Sequence, residues 1–88
     1  MDNITLRGFK MDEEYKKILK IIYESNKKDP SYQVDNNDLI EKLDVKPDEL
    51  VTITNYLEGE RYIKIEPYLD GFEVNITPRG IKLVEKWD

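Results

Sequence analysis

Residues 34–85 carry the clearest structural pattern of the sequence, which contains two short motifs: LEGERYI at residues 57–63 and ITPRG at residues 76–80. Before the first motif, apolar residues recur at helical spacing. Between the motifs they alternate with polar residues, which is typical of strands. After the second motif the helical spacing returns. The order predicts helix, tight turn, helix, two-stranded hairpin and helix.

The two helices before the hairpin have clear local start signals. Asp35 is a good N-cap, and Asp38 lies where a capping box would place its acidic residue. Pro47 suits the first position of the next helix, where a missing N–H costs nothing. About four residues join the helices, with Val45 in the bend, and such a pair predicts a helix-turn-helix unit.

The hairpin is predicted over residues 62–76. Asp70-Gly71 between the alternating runs indicates a tight turn, and we expect positive φ there because primed turns require it. Pro67 predicts an edge position, since proline donates no backbone hydrogen bond. Thr77 and Pro78 are then the cap and the first residue of a last helix.

A first helix is predicted from about Asp12, a good N-cap, to Lys28, with Asp29-Pro30 as its stop. In this prediction residues 1–11 form an N-terminal arm and residues 12–88 form one domain. A short strand, a segment packed on a partner chain and a frayed end all fit the arm.

Three apolar residues near the ends of the sequence predict a contact between two copies of the chain. Leu6 and Phe9 lie in the arm, and Trp87 lies in the last helix. Isologous dimers are the commonest oligomers, so we expect a homodimer through these residues. The alternative is that Trp87 caps the core of its own chain.

Composition limits the chemistry that the chain can perform. The 88 residues include neither His nor Cys, so the usual transition-metal clusters, an imidazole base and a thiol nucleophile are excluded. The carboxylates occupy exposed-looking helix positions, and the four glycines are isolated rather than grouped in a phosphate-binding loop. We predict no enzyme, no cofactor and no metal. No apolar stretch has the length of a membrane span or the layout of a signal peptide, which favours a cytoplasmic protein.

In their order and spacing, the two motifs resemble those of the winged helix-turn-helix superfamily, in particular its small prokaryotic and phage members, over about residues 12–86. In that superfamily the third helix commonly runs into Leu-Glu-x-x-Gly-Tyr-Ile, and the hairpin, called the wing, ends in Ile/Leu-Thr-x-x-Gly. This chain departs from the first pattern, because Arg61 stands where the glycine is expected and Gly59 comes earlier. Either the helix ends at Gly59, or Arg61 adopts a different junction into the wing.

The resemblance implies an α+β fold with a three-helix core, a short strand, a two-stranded wing and a C-terminal helix. It also implies a small transcriptional regulator that places helix 47–58 in the major groove of duplex DNA, with the 62–76 hairpin alongside. The residues predicted to contact nucleic acid or another partner are Lys46, Thr52, Asn55, Tyr56, Arg61, Lys64 and Arg79.

The charge of the same region argues for a different partner. Residues 35–60 hold eight acidic residues and two lysines, a net charge of −6 in a chain whose total is −5. Helix 47–58 has no Lys or Arg, although phosphate neutralisation supplies most non-specific DNA affinity. The alternative prediction is therefore an acidic module that binds or inhibits another protein, of a kind that a phage could encode. It would bind a protein partner, particularly a basic one, or mimic DNA without binding it.

Overall fold

The computed structural model describes the backbone of residues 2–87 and the side chains of residues 13–87. Within that range the fold is α+β, as predicted, with four helices and a three-stranded antiparallel sheet. The elements in chain order are α1 (Asp2–Lys28), β1 (Val34–Asp35), α2 (Asn36–Lys42), α3 (Pro47–Gly59), β2 (Ile63–Tyr68), β3 (Gly71–Ile76) and α4 (Pro78–Trp87).

The sheet has the order β1-β3-β2, so β3 lies in its centre. Val74 of β3 pairs with Val34 of β1 on one side and with Ile65 of β2 on the other. Pro67 is on β2, an edge strand, which confirms the position that the proline predicted.

The hydrophobic core lies where α1 packs against β3, α3 and α4. Apolar side chains at helical spacing on α1 contact the inward-facing residues that alternate along the strands. The helical and the strand pattern therefore contribute to the same core. Its largest fully buried apolar side chains are Ile18, Leu19, Ile22, Leu39, Leu50, Leu57, Ile63, Val74 and Val84.

The start of α1 differs from the prediction. The helix begins at Asp2 rather than near Asp12, and it continues unbroken to Lys28. The N-cap signal at Asp12 is overridden because the preceding residues include no proline, and a single Gly8 costs a helix only about 1 kcal/mol. The side chains of Leu6 and Phe9 lie outside the described residues, so their contact with a second copy stays a prediction.

The capping signals of the next two helices are confirmed. The N–H of Asp38 donates to the Asp35 carboxylate at 2.8 Å, and the N–H of Asp35 donates to the Asp38 carboxylate at 3.2 Å. This reciprocal pair is the predicted capping box, with Asp in place of Glu. Pro47 is the first residue of α3, as expected.

The hairpin forms where it was predicted, but its turn is different. Leu69 and Asp70 make the turn, Gly71 is already the first residue of β3, and no described glycine has positive φ. Gly71 is needed for space, because a Cβ there would collide with the side chain of Asn36. Asn36 comes this close because its Oδ1 accepts a hydrogen bond from the N–H of Phe72 at 3.1 Å.

The junction between α3 and β2 contains the one described non-glycine residue with positive φ, Arg61, at 68°. The helix ends at Gly59, which is the first of the two alternatives, and Arg61 takes the left-handed conformation expected of the glycine that it replaces. Thr77 holds this junction to α4. Its hydroxyl donates to the carbonyl of Arg61 at 2.6 Å and accepts from the N–H of Gly80 at 3.0 Å, and its own N–H donates to the carbonyl of Tyr62 at 3.0 Å.

Candidate interaction surfaces

Helix α3 presents a mixed polar and apolar surface to solvent. Its buried face consists of Leu50, Ile53, Thr54 and Leu57. Because those positions repeat at helical spacing, the opposite side carries exposed residues at the same period. We define this α3 surface by its exposed members Asp48, Val51, Thr52, Asn55 and Tyr56.

The two flanks of α3 are tied to neighbouring elements. On one flank, the Glu58 carboxylate accepts a hydrogen bond from the N–H of Ile65 on β2 at 2.9 Å. On the other, the ring of Tyr56 packs edge-on against Tyr15 of α1, with centroids 5.7 Å apart. Tyr56 still exposes 42% of its surface, so it can contact both α1 and an external partner.

Four of the predicted contact residues lie on α3 or at its start. The Thr52 hydroxyl donates to the carbonyl of Asp48 at 3.1 Å, within its own helix. Asn55 is exposed, and its amide makes no hydrogen bond with the described residues. Lys46 is exposed, and its backbone N–H donates to the Glu49 carboxylate at 3.3 Å.

Half of the acidic residues in 35–60 have a local structural role. The carboxylates that accept backbone N–H groups are those of Asp35, Asp38, Glu49 and Glu58. The others, which are Glu41, Asp44, Asp48 and Glu60, are exposed and form no hydrogen bond or ion pair through their side chains with described residues. Both groups contribute negative charge, so the field around α2 and α3 is negative whatever the local role of each carboxylate.

Two exposed tyrosines lie beside these carboxylates. The Tyr32 hydroxyl donates to Asp38 at 2.6 Å, and this hydrogen bond, together with partial desolvation and the charges of Asp38, Asp35 and Glu41, raises the pKa of Tyr32 to about 12. Partial burial, followed by the charges of Asp35 and Glu73, raises the pKa of Tyr68. Tyr32 also lines a groove of about 550 Å³ between α1 and α2, in which acids outnumber bases.

The other three predicted contact residues lie outside α3. Lys64 forms an exposed ion pair with Glu66 on the same strand at 3.9 Å, which contributes little binding energy. Arg61 is exposed at the α3–β2 junction. Arg79 is on α4, where its Nε donates to the carbonyl of Glu60 at 3.0 Å. The predicted residues thus lie in three places: on α3 or at its start, on β2 and its junction with α3, and on α4.

Sequence reasoning missed the partners of Arg79. The residues Tyr62, Pro78, Arg79, Lys82, Leu83 and Lys86 line a groove of about 440 Å³, which we call the α4 groove. Its three cations are spaced i, i+3 and i+7, so the sequence carried a signal, but that spacing also describes an ordinary solvated helix face. The groove forms because Tyr62, from the α3–β2 connection, lies beside these residues of α4.

Trp87 belongs to an aromatic cluster within its own chain. Its ring lies edge-on to Tyr15, with centroids 6.4 Å apart, and Lys16 Nζ lies 5.7 Å from its centroid. Trp87 is half-buried against the core, which agrees with the alternative that it caps the core of its own chain. Its participation in a homodimer stays a prediction.

The described residues show no group of three or more acids that could hold a metal ion. None of the helices described combines the length and apolar character that a membrane crossing requires. Comparison of the chain with protein-family models, with curated proteins and with solved structures gives no match.

Proposed function

We propose that the chain is a winged helix-turn-helix protein. In this assignment α1, α2 and α3 are the three-helix core, β1 is the short strand, β2 and β3 are the wing and α4 is the C-terminal helix. The helix order, the capped α2–α3 pair and the antiparallel hairpin that returns to a helix support the assignment. So does the junction at Thr77, since its hydroxyl caps α4 and also binds the end of the α3–β2 connection.

We propose further that this protein is an interaction module whose α3 surface binds a basic protein. The observation that carries the proposal is that α3 has no Lys or Arg, while its exposed side presents Val51, Asn55 and Tyr56. Aromatic and apolar groups beside polar ones are typical of protein interfaces. The negative field of residues 35–60 would speed the approach of a basic partner and select against acidic ones.

Electrostatics favours a protein over duplex DNA as the partner of this surface. A DNA-binding protein commonly neutralises about 6–10 phosphates with Lys and Arg, and this supplies most of its non-specific affinity. Helix α3 offers no such side chain, and two acids, Asp48 and Glu49, occupy its first turn. The wing adds no basic tip, because its turn is Leu69-Asp70 and its Lys64 is paired with Glu66.

A second candidate function is transcriptional control through duplex DNA, and one observation favours it. Asn55 and Thr52 are exposed in the middle of α3, and an asparagine amide without a protein partner can bind the edge of adenine in the major groove. Lys46, Arg61, Lys64 and Arg79 would then contact phosphates at the edges of the site. This candidate needs those four residues to overcome the acidic field of α2 and α3.

Titration of two probes separates the candidates: a fluorescent peptide rich in Lys, Arg and Leu, and a set of genomic duplex fragments. Each is titrated at low and moderate salt with the wild type, Val51→Ala, Asn55→Ala and the control Lys17→Ala, an exposed residue of α1. We expect the peptide to bind, and the two α3 variants to weaken it by about tenfold, or 1.4 kcal/mol, while Lys17→Ala changes little.

Duplex binding that weakens steeply with salt and is lost in Asn55→Ala would support the second candidate instead. Equal binding of the peptide by the wild type and by both α3 variants would contradict the proposed surface, since it would indicate only a general attraction of opposite charges. Failure of both probes at low salt would overturn both functions.

A further inference from the structure

The α4 groove has a charge opposite to that of the α3 surface. Its lining includes Arg79, Lys82 and Lys86 but no acidic residue. Within residues 13–87 the one ion pair is Lys64–Glu66, so the three groove cations are not neutralised by described carboxylates. From this geometry we propose that the α4 groove binds an acidic peptide segment of a partner protein.

Arg79 is held in place for such a ligand. Its Nε donates to the backbone carbonyl of Glu60 at 3.0 Å, and its guanidinium lies 5.2 Å from the centroid of the Tyr62 ring. These two contacts orient the planar group, while its terminal nitrogens make no hydrogen bond with the described residues. An oriented guanidinium binds a carboxylate in a bidentate manner and loses less side-chain entropy on binding than a free one.

Lys82 and Lys86 extend the positive charge along the helix. Both are exposed, and Lys86 lies seven positions after Arg79 on α4, about 10 Å at the helical rise of 1.5 Å per residue. Two or three carboxylates on one face of a short peptide can match this row. Lysine ammonium groups adapt to such carboxylates as mobile point charges, so they add attraction without requiring one ligand geometry.

The apolar part of the groove favours a peptide over a nucleic acid. Leu83 and the half-buried ring of Tyr62 pack against the core, and Pro78 borders them at the start of α4. Such a floor can accept a Leu or Phe side chain between the carboxylates. A polynucleotide would place dense negative charge against a chain of net charge −5, with only three groove cations to offset the repulsion.

The α4 groove binds its ligand independently of the partner proposed for α3. The two surfaces attract ligands of opposite charge and share no residue, because one is formed by α3 and the other by α4 and Tyr62. A protein with both would connect a basic partner with an acidic one. Either site can fail its test without changing the result for the other.

The test uses a fluorescein-labelled peptide of roughly 12 residues, long enough to occupy such a groove, in which Glu and Asp alternate with Leu and Phe. A second peptide has Ser in place of Leu and Phe, and single-stranded and duplex oligonucleotides are the other probes. Each is titrated by fluorescence anisotropy with the wild type, Lys82→Glu/Lys86→Glu, Asn55→Ala and the control Lys17→Glu. Amide chemical shifts of ¹⁵N-labelled protein locate the bound peptide.

We expect the first peptide to bind and to shift the amides of Tyr62 and of residues 79–86. The Lys82→Glu/Lys86→Glu variant should weaken binding at least tenfold, while Lys17→Glu and Asn55→Ala change it less than about twofold. Both lysines are exposed without described ion pairs, so the double variant should fold, which circular dichroism checks.

Three outcomes would overturn the proposal. Equal binding of the Ser peptide would show that the apolar floor takes no part and that a general attraction of opposite charges, rather than a peptide site, explains the binding. Oligonucleotide binding at the same amides without peptide binding would assign the groove to phosphate. Absence of binding by every probe at low salt would remove the groove as an interaction site.

Discussion

The carboxylate of Glu58, at the end of α3, accepts a hydrogen bond from the backbone N–H of Ile65 on the edge strand β2, at 2.9 Å. Glu58→Ala would remove the acceptor, and we expect it to lower the free energy of unfolding by about 1 kcal/mol. Glu58→Gln should retain most of the stability, because its amide oxygen can accept the same bond. Urea denaturation measures both, and an Ala variant as stable as the wild type would contradict the role given to Glu58.

The positive φ of Arg61 predicts an unusual response to glycine. A side chain in the left-handed region costs about 1–2 kcal/mol, whereas glycine adopts it freely but has more conformational entropy in the unfolded chain. We expect Arg61→Gly to raise the free energy of unfolding by up to about 1 kcal/mol and Arg61→Val to lower it by about 1–3 kcal/mol.

The matched control is Glu60→Gly, because Glu60 has a φ of −84° and gains nothing from glycine. It should lose about 0.5–1 kcal/mol in the same denaturation experiment. If both glycine variants were destabilised equally, the strain assigned to Arg61 would be wrong.

Gly59, at the end of α3, and Gly80, on α4, should respond in opposite ways to alanine. A Cβ on Gly80 would collide with the carbonyl of Tyr62 and with the Ile76 side chain, so Gly80→Ala should cost at least about 2 kcal/mol or prevent folding. A Cβ on Gly59 meets no atom within 4 Å, and Gly59→Ala should be neutral or stabilise by up to about 1 kcal/mol. Thermal unfolding of both variants decides this, and a tolerated alanine at Gly80 would contradict the described packing.

The hydrogen bond from Tyr32 to Asp38 predicts that Tyr32 ionises at a higher pH than an ordinary tyrosine. Because the neutral hydroxyl is the donor, folding favours the protonated form and raises the pKa of Tyr32 from 10.0 to about 12. The contribution of this hydrogen bond to the free energy of unfolding is fully present below pH 10 and is lost as the pH rises through about 12.

Ultraviolet titration of the wild type and of Tyr32→Phe measures this directly. The difference between the two curves reports one tyrosine, and we expect its midpoint near pH 12 while circular dichroism shows the protein folded. A midpoint near pH 10 in the folded protein would mean that the hydrogen bond does not form in solution.

Local rules explain which parts of the fold could be predicted. The capping box of Asp35 and Asp38, the first-turn position of Pro47 and the edge position of Pro67 each depend on residues close in sequence, so the pattern contains the answer. The prediction of a turn at Asp70-Gly71 is wrong because it treats Gly71 as a turn residue. Gly71 instead leaves space for the side chain of Asn36, which lies on another element.

In the candidate surfaces too, local patterns could be predicted from the sequence, whereas contacts between distant residues could not. The exposed residues of α3 follow from its period, and the sequence identified Thr52 and Asn55 for that reason. The α4 groove could not be identified in this way, since Arg79 obtains its orientation from Glu60 and Tyr62, which belong to a distant part of the chain. Local charge spacing does not reveal which lysines face solvent alone and which border a groove.

The covered edge of β2 limits how this protein can recognise a partner. Many adaptor domains bind an extended peptide as an additional strand, through a row of main-chain hydrogen bonds. On β2 the N–H of Ile65 is already bound by Glu58, and Pro67 has no N–H to offer. At the opposite edge β1 has only two residues before α2 begins. Recognition by strand addition is therefore unfavourable, and binding has to depend on side chains that point mutations can remove one at a time.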